Sequence, residues 1–128
     1  MNLESRVAKT QKSPEELYNF LTQVENFKHL LPEDAKFELL GDDKFLFGLK
    51  GMPEIKLALR ESTPYSKVVL GSLGDKLSFT LTADIEEDPK GAAAQLFFEG
   101  DFNAMMAMMI KGPINKFLDQ LANGIEKL

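Results

Sequence analysis

Apolar and polar residues alternate with period two through most of the first hundred positions, and they switch to helical spacing in three places. Leu3, Ser5 and Val7 alternate with Glu4, Arg6 and Ala8, which predicts a half-buried strand over Leu3 to Lys12. Ser13-Pro14-Glu15-Glu16 then supplies an N-cap, a proline at the first helical position and a capping-box carboxylate. Leu17, Phe20 and Leu21 form the buried stripe of the helix that follows. Val24, Phe27, Leu30 and Leu31 predict a second short helix that Pro32 stops.

From Ala35 to Phe102 the pattern is strand and turn. Phe37 and Leu39 alternate before Gly41-Asp42-Asp43, and Phe45, Phe47 and Leu49 alternate after it. Ile55, Leu57 and Leu59 face one way while Glu54, Lys56 and Arg60 face the other. Thr63-Pro64-Tyr65 breaks that run. Val68 and Leu70 lead to Gly71-Ser72-Leu73-Gly74-Asp75, and Leu77, Phe79, Leu81, Ala83 and Ile85 carry the next strand. Glu86 to Gly91 is a charged turn, and Ala92, Ala94, Leu96, Phe98 and Phe102 make the last strand.

Asn103 is a good N-cap, and the residues after it to Lys127 are mostly strong helix formers. At roughly 1.5 Å per residue this helix is about 35 Å long, enough to cross a small domain. Met105, Met106 and Met109 cluster on one face of its first half, whereas Ile114, Phe117, Leu121 and Ile125 centre on a face rotated well round from it. Gly112-Pro113 lies between the halves, where a kink is expected to redirect the apolar face.

The order of one strand, two short helices, six strands and a long C-terminal helix resembles the START-like, helix-grip superfamily (SRPBCC), which includes polyketide cyclase/dehydrase-like and lipid-transfer proteins. The resemblance spans the chain, and its most telling pieces are Ser13 to Leu21 and Met109-Ile110-Lys111-Gly112-Pro113. It implies an α+β domain over residues 1–128. A curved seven-stranded antiparallel sheet would grip the kinked helix and leave an apolar cavity between them. Some members carry a glycine-rich loop between early strands; Phe47 to Met52 has two separated glycines, which argues against an oxyanion-binding role. Short turns leave no room for a large lid and favour a small or shallow cavity.

Composition narrows the function classes. The 128 residues are 44% hydrophobic and 27% charged, which describes one folded globule. Ten Phe outnumber two Tyr, and no Trp is present, so the rings suit a dry interior. A net charge of -5 without a basic cluster repels phosphate backbones and argues against nucleic acid. Zero Cys excludes disulfides, thiolate nucleophiles and Cys-based zinc sites. Glu4 and Arg6 interrupt any leader-like apolar stretch, and Ala104 to Ile110 is too short to span a bilayer. Cytoplasmic residence is the expectation, with no stable membrane insertion.

Reactive side chains are scarce. His29 is the only histidine, and it is expected on the outer side of the second helix rather than as a general base or metal ligand. Glu61 continues the inward series of Ile55, Leu57 and Leu59. Inside a cavity, with Tyr65 near, it could serve as an acid, a base or a ligand-headgroup contact; the favoured reading is that the strand ends near Glu61 and its side chain reaches water. Ser5, Ser72 and Ser78 have no histidine partner. Glu86-Glu87-Asp88 lacks the oxygen ligands of a calcium site. No cofactor, metal or catalytic residue is assigned.

Met105, Met106, Met108 and Met109 are the compositional anomaly, since unbranched methionines repack around variable apolar partners but also fill ordinary cores. The leading expectation is a non-enzymatic binder of a small hydrophobic or amphipathic ligand. It would lie between Phe37, Phe47, Leu57, Glu61, Phe79 and Phe98 on the sheet and Met105 and Met109 on the helix. The alternatives are a cyclase/dehydratase-type enzyme using Glu61 and a Met-rich interaction module, including a homodimer through Met106 and Met108.

Overall fold

The computed structural model describes residues 1–49, 54–73 and 78–128. Eight strands form one antiparallel sheet among these residues: β1 (Asn2–Glu4), β2 (Ala8–Thr10), β3 (Lys36–Leu39), β4 (Lys44–Gly48), β5 (Ile55–Thr63), β6 (Lys67–Ser72), β7 (Phe79–Asp88) and β8 (Gly91–Gly100). Helix α1 (Pro14–Thr22) and a 3-10 helix (Val24–His29) follow β2, and helix α2 (Ala104–Glu126) closes the chain. The sheet runs β1-β8-β7-β6-β5-β4-β3, with β2 also on β8. This α+β arrangement, a single open sheet with a C-terminal helix, is consistent with a helix-grip architecture.

The expected first strand is two strands. Leu3 pairs with Phe98 but Ala8 pairs with Ala94, so three residues, Ser5 to Val7, oppose two on β8. The extra residue inverts the alternation. Val7, expected inward, is exposed, while Ala8 and Thr10 turn into the core. Buried Ser5 seals the irregularity: its hydroxyl donates to Arg6 O at 2.8 Å and accepts from Leu96 N–H at 3.0 Å.

The same device corrects the expectation for Glu61. Leu59 pairs with Leu70, whereas Glu61 pairs with Val69, so Arg60 is the extra residue of a bulge. Partners across an antiparallel pair share a face. Ser62 therefore lies on the inner face opposite buried Val68, and Glu61 turns to the outer face with Val69, exposed to solvent. Arg60 lies over Gly71 and donates from Nη2 to Ser72 O at 3.1 Å.

The helices cover the inner face. Ser13 caps α1 in a full capping box, its hydroxyl accepting from Glu16 N–H while the Glu16 carboxylate accepts from Ser13 N–H, both at 3.1 Å. Leu17 and Leu21 enter the core. Helix α2 runs as one helix through Pro113. Its buried residues Ile110, Ile114, Phe117, Leu121 and Ile125, with half-buried Met106 before them, follow steps of four and three along one continuous stripe. The expected redirection of the apolar face at Gly112-Pro113 does not occur. Arg6, in the β1–β2 irregularity, ties the far end of α2 down through Asn123, Glu126 and Asp119.

Phe45, Phe47, Leu57, Leu70, Leu81, Ile85, Leu96 and Phe98 from the sheet meet this stripe in one core. The Phe47 and Phe117 rings stack at 4.7 Å and 15°, and Phe79 packs on Phe98 at 4.9 Å. Phe102 lies past the end of β8 and stacks on Phe98. The loop residues Lys50 to Met52, the turn residues Gly74 and Asp75, and Leu77 of the expected strand lie outside the described residues.

Candidate functional site

The sheet extends further than its helical cover. α2 packs over β1, β2 and β8, and α1 packs over β6, β7 and β8. The 3-10 helix reaches β4, where Phe27 stacks on Phe45 at 5.3 Å. β3 stands beyond them at the free end of the sheet. Its inward side chains, Phe37 and Leu39, share a face with Phe47 and Phe45. Phe37 is half-buried against Phe45 at 5.4 Å, while Leu39 is 47% exposed.

An open cleft of about 830 Å³ results at this end of the inner face, within the range of small-molecule sites. Phe37, Leu39, Leu31, Pro32 and Ala35 supply its apolar lining. The 3-10 helix and the segment after it contribute Glu25, Asn26, Lys28, His29 and Glu33. Both signs of charge are therefore present beside an apolar floor. A smaller space of about 100 Å³ lies on the other side of Pro32 and Ala35, against Leu49, Pro113, Lys116 and Phe117. Segment 31–35 thus stands between the cleft and the middle of α2.

The expected site residues separate into three groups. Phe37 lines the cleft. Phe47, Leu57, Phe79 and Phe98 are buried in one core with the α2 stripe, Phe79 also bordering an open space of about 310 Å³ beside Met1 and Gly100. Met105 and Met109, expected to face the sheet, are 74% and 65% exposed, because the buried stripe passes through Met106 and Ile110 instead. Met108 is 82% exposed, and Met106 is half-buried against the core. Glu61 lies on the outer face, as described. Tyr65 does not turn towards it: the Tyr65 hydroxyl donates to Glu15 at 3.4 Å, and its ring meets Tyr18 edge-on at 5.5 Å.

The cleft residues outside β3 were not anticipated as a site. The available signal was Leu39-Leu40, two adjacent apolar residues that alternation cannot bury on one face; Leu40 is also exposed. Among the described residues, no cluster of His, Asp or Glu is arranged to hold a metal ion. No helix among them is long and apolar enough to cross a membrane.

Among the described residues, two charged groups have a shifted pKa, and both lie on the surface. Hydrogen bonds from the Ser13 backbone and hydroxyl hold the Glu16 carboxyl below its ordinary value. The hydrogen bond to Glu54, with Nζ to Oε2 at 2.5 Å, raises Lys36 on the outer face of β3. Both shifts belong to structural pairings.

No family model matches the chain, and no curated protein matches it. Among solved structures it is similar to a protein from Chromobacterium violaceum, with TM-score 0.70 and 19% identity over 98% of this chain and 97% of that one. A protein from Mycobacterium smegmatis gives TM-score 0.75 and 9% identity over 98% and 88%. The Aha1 dimer from Colwellia psychrerythraea, a solution structure, gives 0.65 and 16% over 98% and 96%. At these identities the likeness is one of fold, and along nearly its whole length the chain shares that fold with these bacterial proteins.

Proposed function

We propose that this chain is a START-like, helix-grip protein that binds a small amphipathic molecule without transforming it, and that the ligand lies in the cleft beside β3. The observation that carries this reading is the cleft itself. It combines the apolar side chains of Leu31, Pro32, Phe37 and Leu39 with Glu25, Lys28, His29 and Glu33. Burial of apolar ligand area contributes about 25 cal/mol per Å², while a few polar groups orient the headgroup. Sidedness favours an amphipathic ligand over a wholly apolar one.

A fluorescent fatty-acid probe tests this. Leu39→Asp places a charge on the apolar lining and is expected to weaken probe binding at least tenfold, while Met109→Glu on the exposed face of α2 leaves it unchanged. Equal binding by Leu39→Asp and wild type, or loss in Met109→Glu alone, refutes the site.

A second reading, an apolar docking surface on the first half of α2, is favoured by the joint exposure of Met105, Met108 and Met109. A catalytic reading has lost its motivating pair, because Glu61 and Tyr65 face different surroundings.

A further inference from the structure

The free edge of the sheet has a sequence that matches itself. β3 carries Lys36-Phe37-Glu38-Leu39, and the Leu40 N–H donates to Lys44 O at 2.9 Å. Even-numbered positions therefore direct their backbone groups towards β4. Phe37 and Leu39 direct theirs away from the sheet, where no strand among the described residues pairs with them. Their side chains lie on the inner face, and Lys36 and Glu38 lie on the outer face.

We propose that β3 is a self-pairing edge, on which a second copy of this chain docks antiparallel about a two-fold axis through Phe37. In that register Phe37 exchanges both backbone hydrogen bonds with Phe37 of the second copy. Leu39, which is 47% exposed, falls opposite the turn that precedes β3 of the second copy, where the Ala35 N–H is already held by Pro32 O. Lys36 falls opposite Glu38 of the second copy, and Glu38 opposite its Lys36.

Those two charge pairs select the occupant and the register. They fall at the positions without hydrogen bonds, where antiparallel strands bring side chains closest and opposite charges are favourable. A two-fold through Glu38 would instead set two like carboxylates face to face. Charges on an edge strand usually discourage association; here the alternation of sign makes the strand complementary to its own antiparallel copy. Lys36 also reaches Glu54, but an ammonium has three donors and its side chain is more than half exposed. The interface is isologous; it is argued from the strand edge and the outer-face charges, and it also brings Phe37 and Leu39 of the cleft lining beside the second copy.

Sedimentation equilibrium over a wide concentration range, with concentration-dependent amide exchange, tests the proposal. Association is expected to weaken with added salt, and the Phe37 amide is expected to gain protection as dimer forms. Glu38→Lys and Lys36→Glu should each weaken association at least about fivefold, since each turns two attractive pairs into two repulsive ones. The double variant should restore it. A strict monomer at millimolar concentration overturns the proposal. So does a dimer that the single variants leave unchanged or the double variant fails to restore. Circular dichroism confirms that each variant is folded.

Discussion

Replacing Phe47 with alanine measures whether the space between sheet and α2 is filled. Phe47 is almost wholly buried on β4 between its partners Phe37 and Ile55, and its ring stacks on Phe117 at 4.7 Å. Truncation of a ring so enclosed removes its transfer free energy and leaves a cavity that neighbours fill only in part, at a cost of about 3–5 kcal/mol. A domain stability of about 5–15 kcal/mol makes that a large share. With an unfolding entropy near 2.1 cal/mol/K per residue, the corresponding fall in Tm is roughly 11–19 °C. Urea unfolding followed by circular dichroism gives the free energy, and thermal scans give Tm. Phe117→Ala should cost a similar amount. The double variant should lose less than the sum, because the two rings share one contact. A loss below about 1 kcal/mol for Phe47→Ala refutes the reasoning, since it would mean that the ring borders empty or hydrated space rather than packed side chains.

Three further outcomes follow from the geometry. Gly91 has φ of +150°, and a Cβ there would lie 2.5 Å from Thr10 O, so Gly91→Ala should destabilise by more than about 1 kcal/mol, read as a lower urea midpoint. Ser13→Ala removes the cap of α1 and should cost about 0.5–2 kcal/mol in the same assay. Glu16 has a lowered folded pKa, so its contribution is present above the unfolded value of about 4.3 and is lost as pH falls through the folded one; acid titrations of wild type and Glu16→Gln should converge there. Met105→Lys, Met108→Lys and Met109→Lys should each change stability by less than about 0.5 kcal/mol, as exposed positions do; a larger loss would place them against something buried.

The elements legible in the chain were those whose signals are local. The capping box at Ser13 and Glu16, the alternation of Phe79 to Ile85 and of Ala92 to Phe98, and the Asn103 cap of α2 each depend on near neighbours, and each is found where expected. The bulges were not legible. Val7 and Glu61 fit uninterrupted alternation, and one extra residue at Ser5–Val7 and at Arg60 reverses it. The expected face of α2 holds in its second half, through Ile114, Phe117, Leu121 and Ile125, and fails in its first half for a different reason. Methionine is as apolar as the residues of the true stripe, so periodicity alone left open which half-turn met the sheet. The cleft was legible only as the odd pair Leu39-Leu40.

By itself, the sequence determined an α+β domain of antiparallel strands closed by a long helix, because binary patterning and caps act within a few residues. The tertiary structure alone decided what those elements enclose. α2 runs over β1, β2 and β8 while its Phe117 reaches Phe47 on β4, Met105, Met108 and Met109 stay in solvent, and β3 is left at the free end of the sheet. The cleft beside β3 follows from how far the helices reach across the sheet and the free edge from the strand order, and no local pattern encodes either.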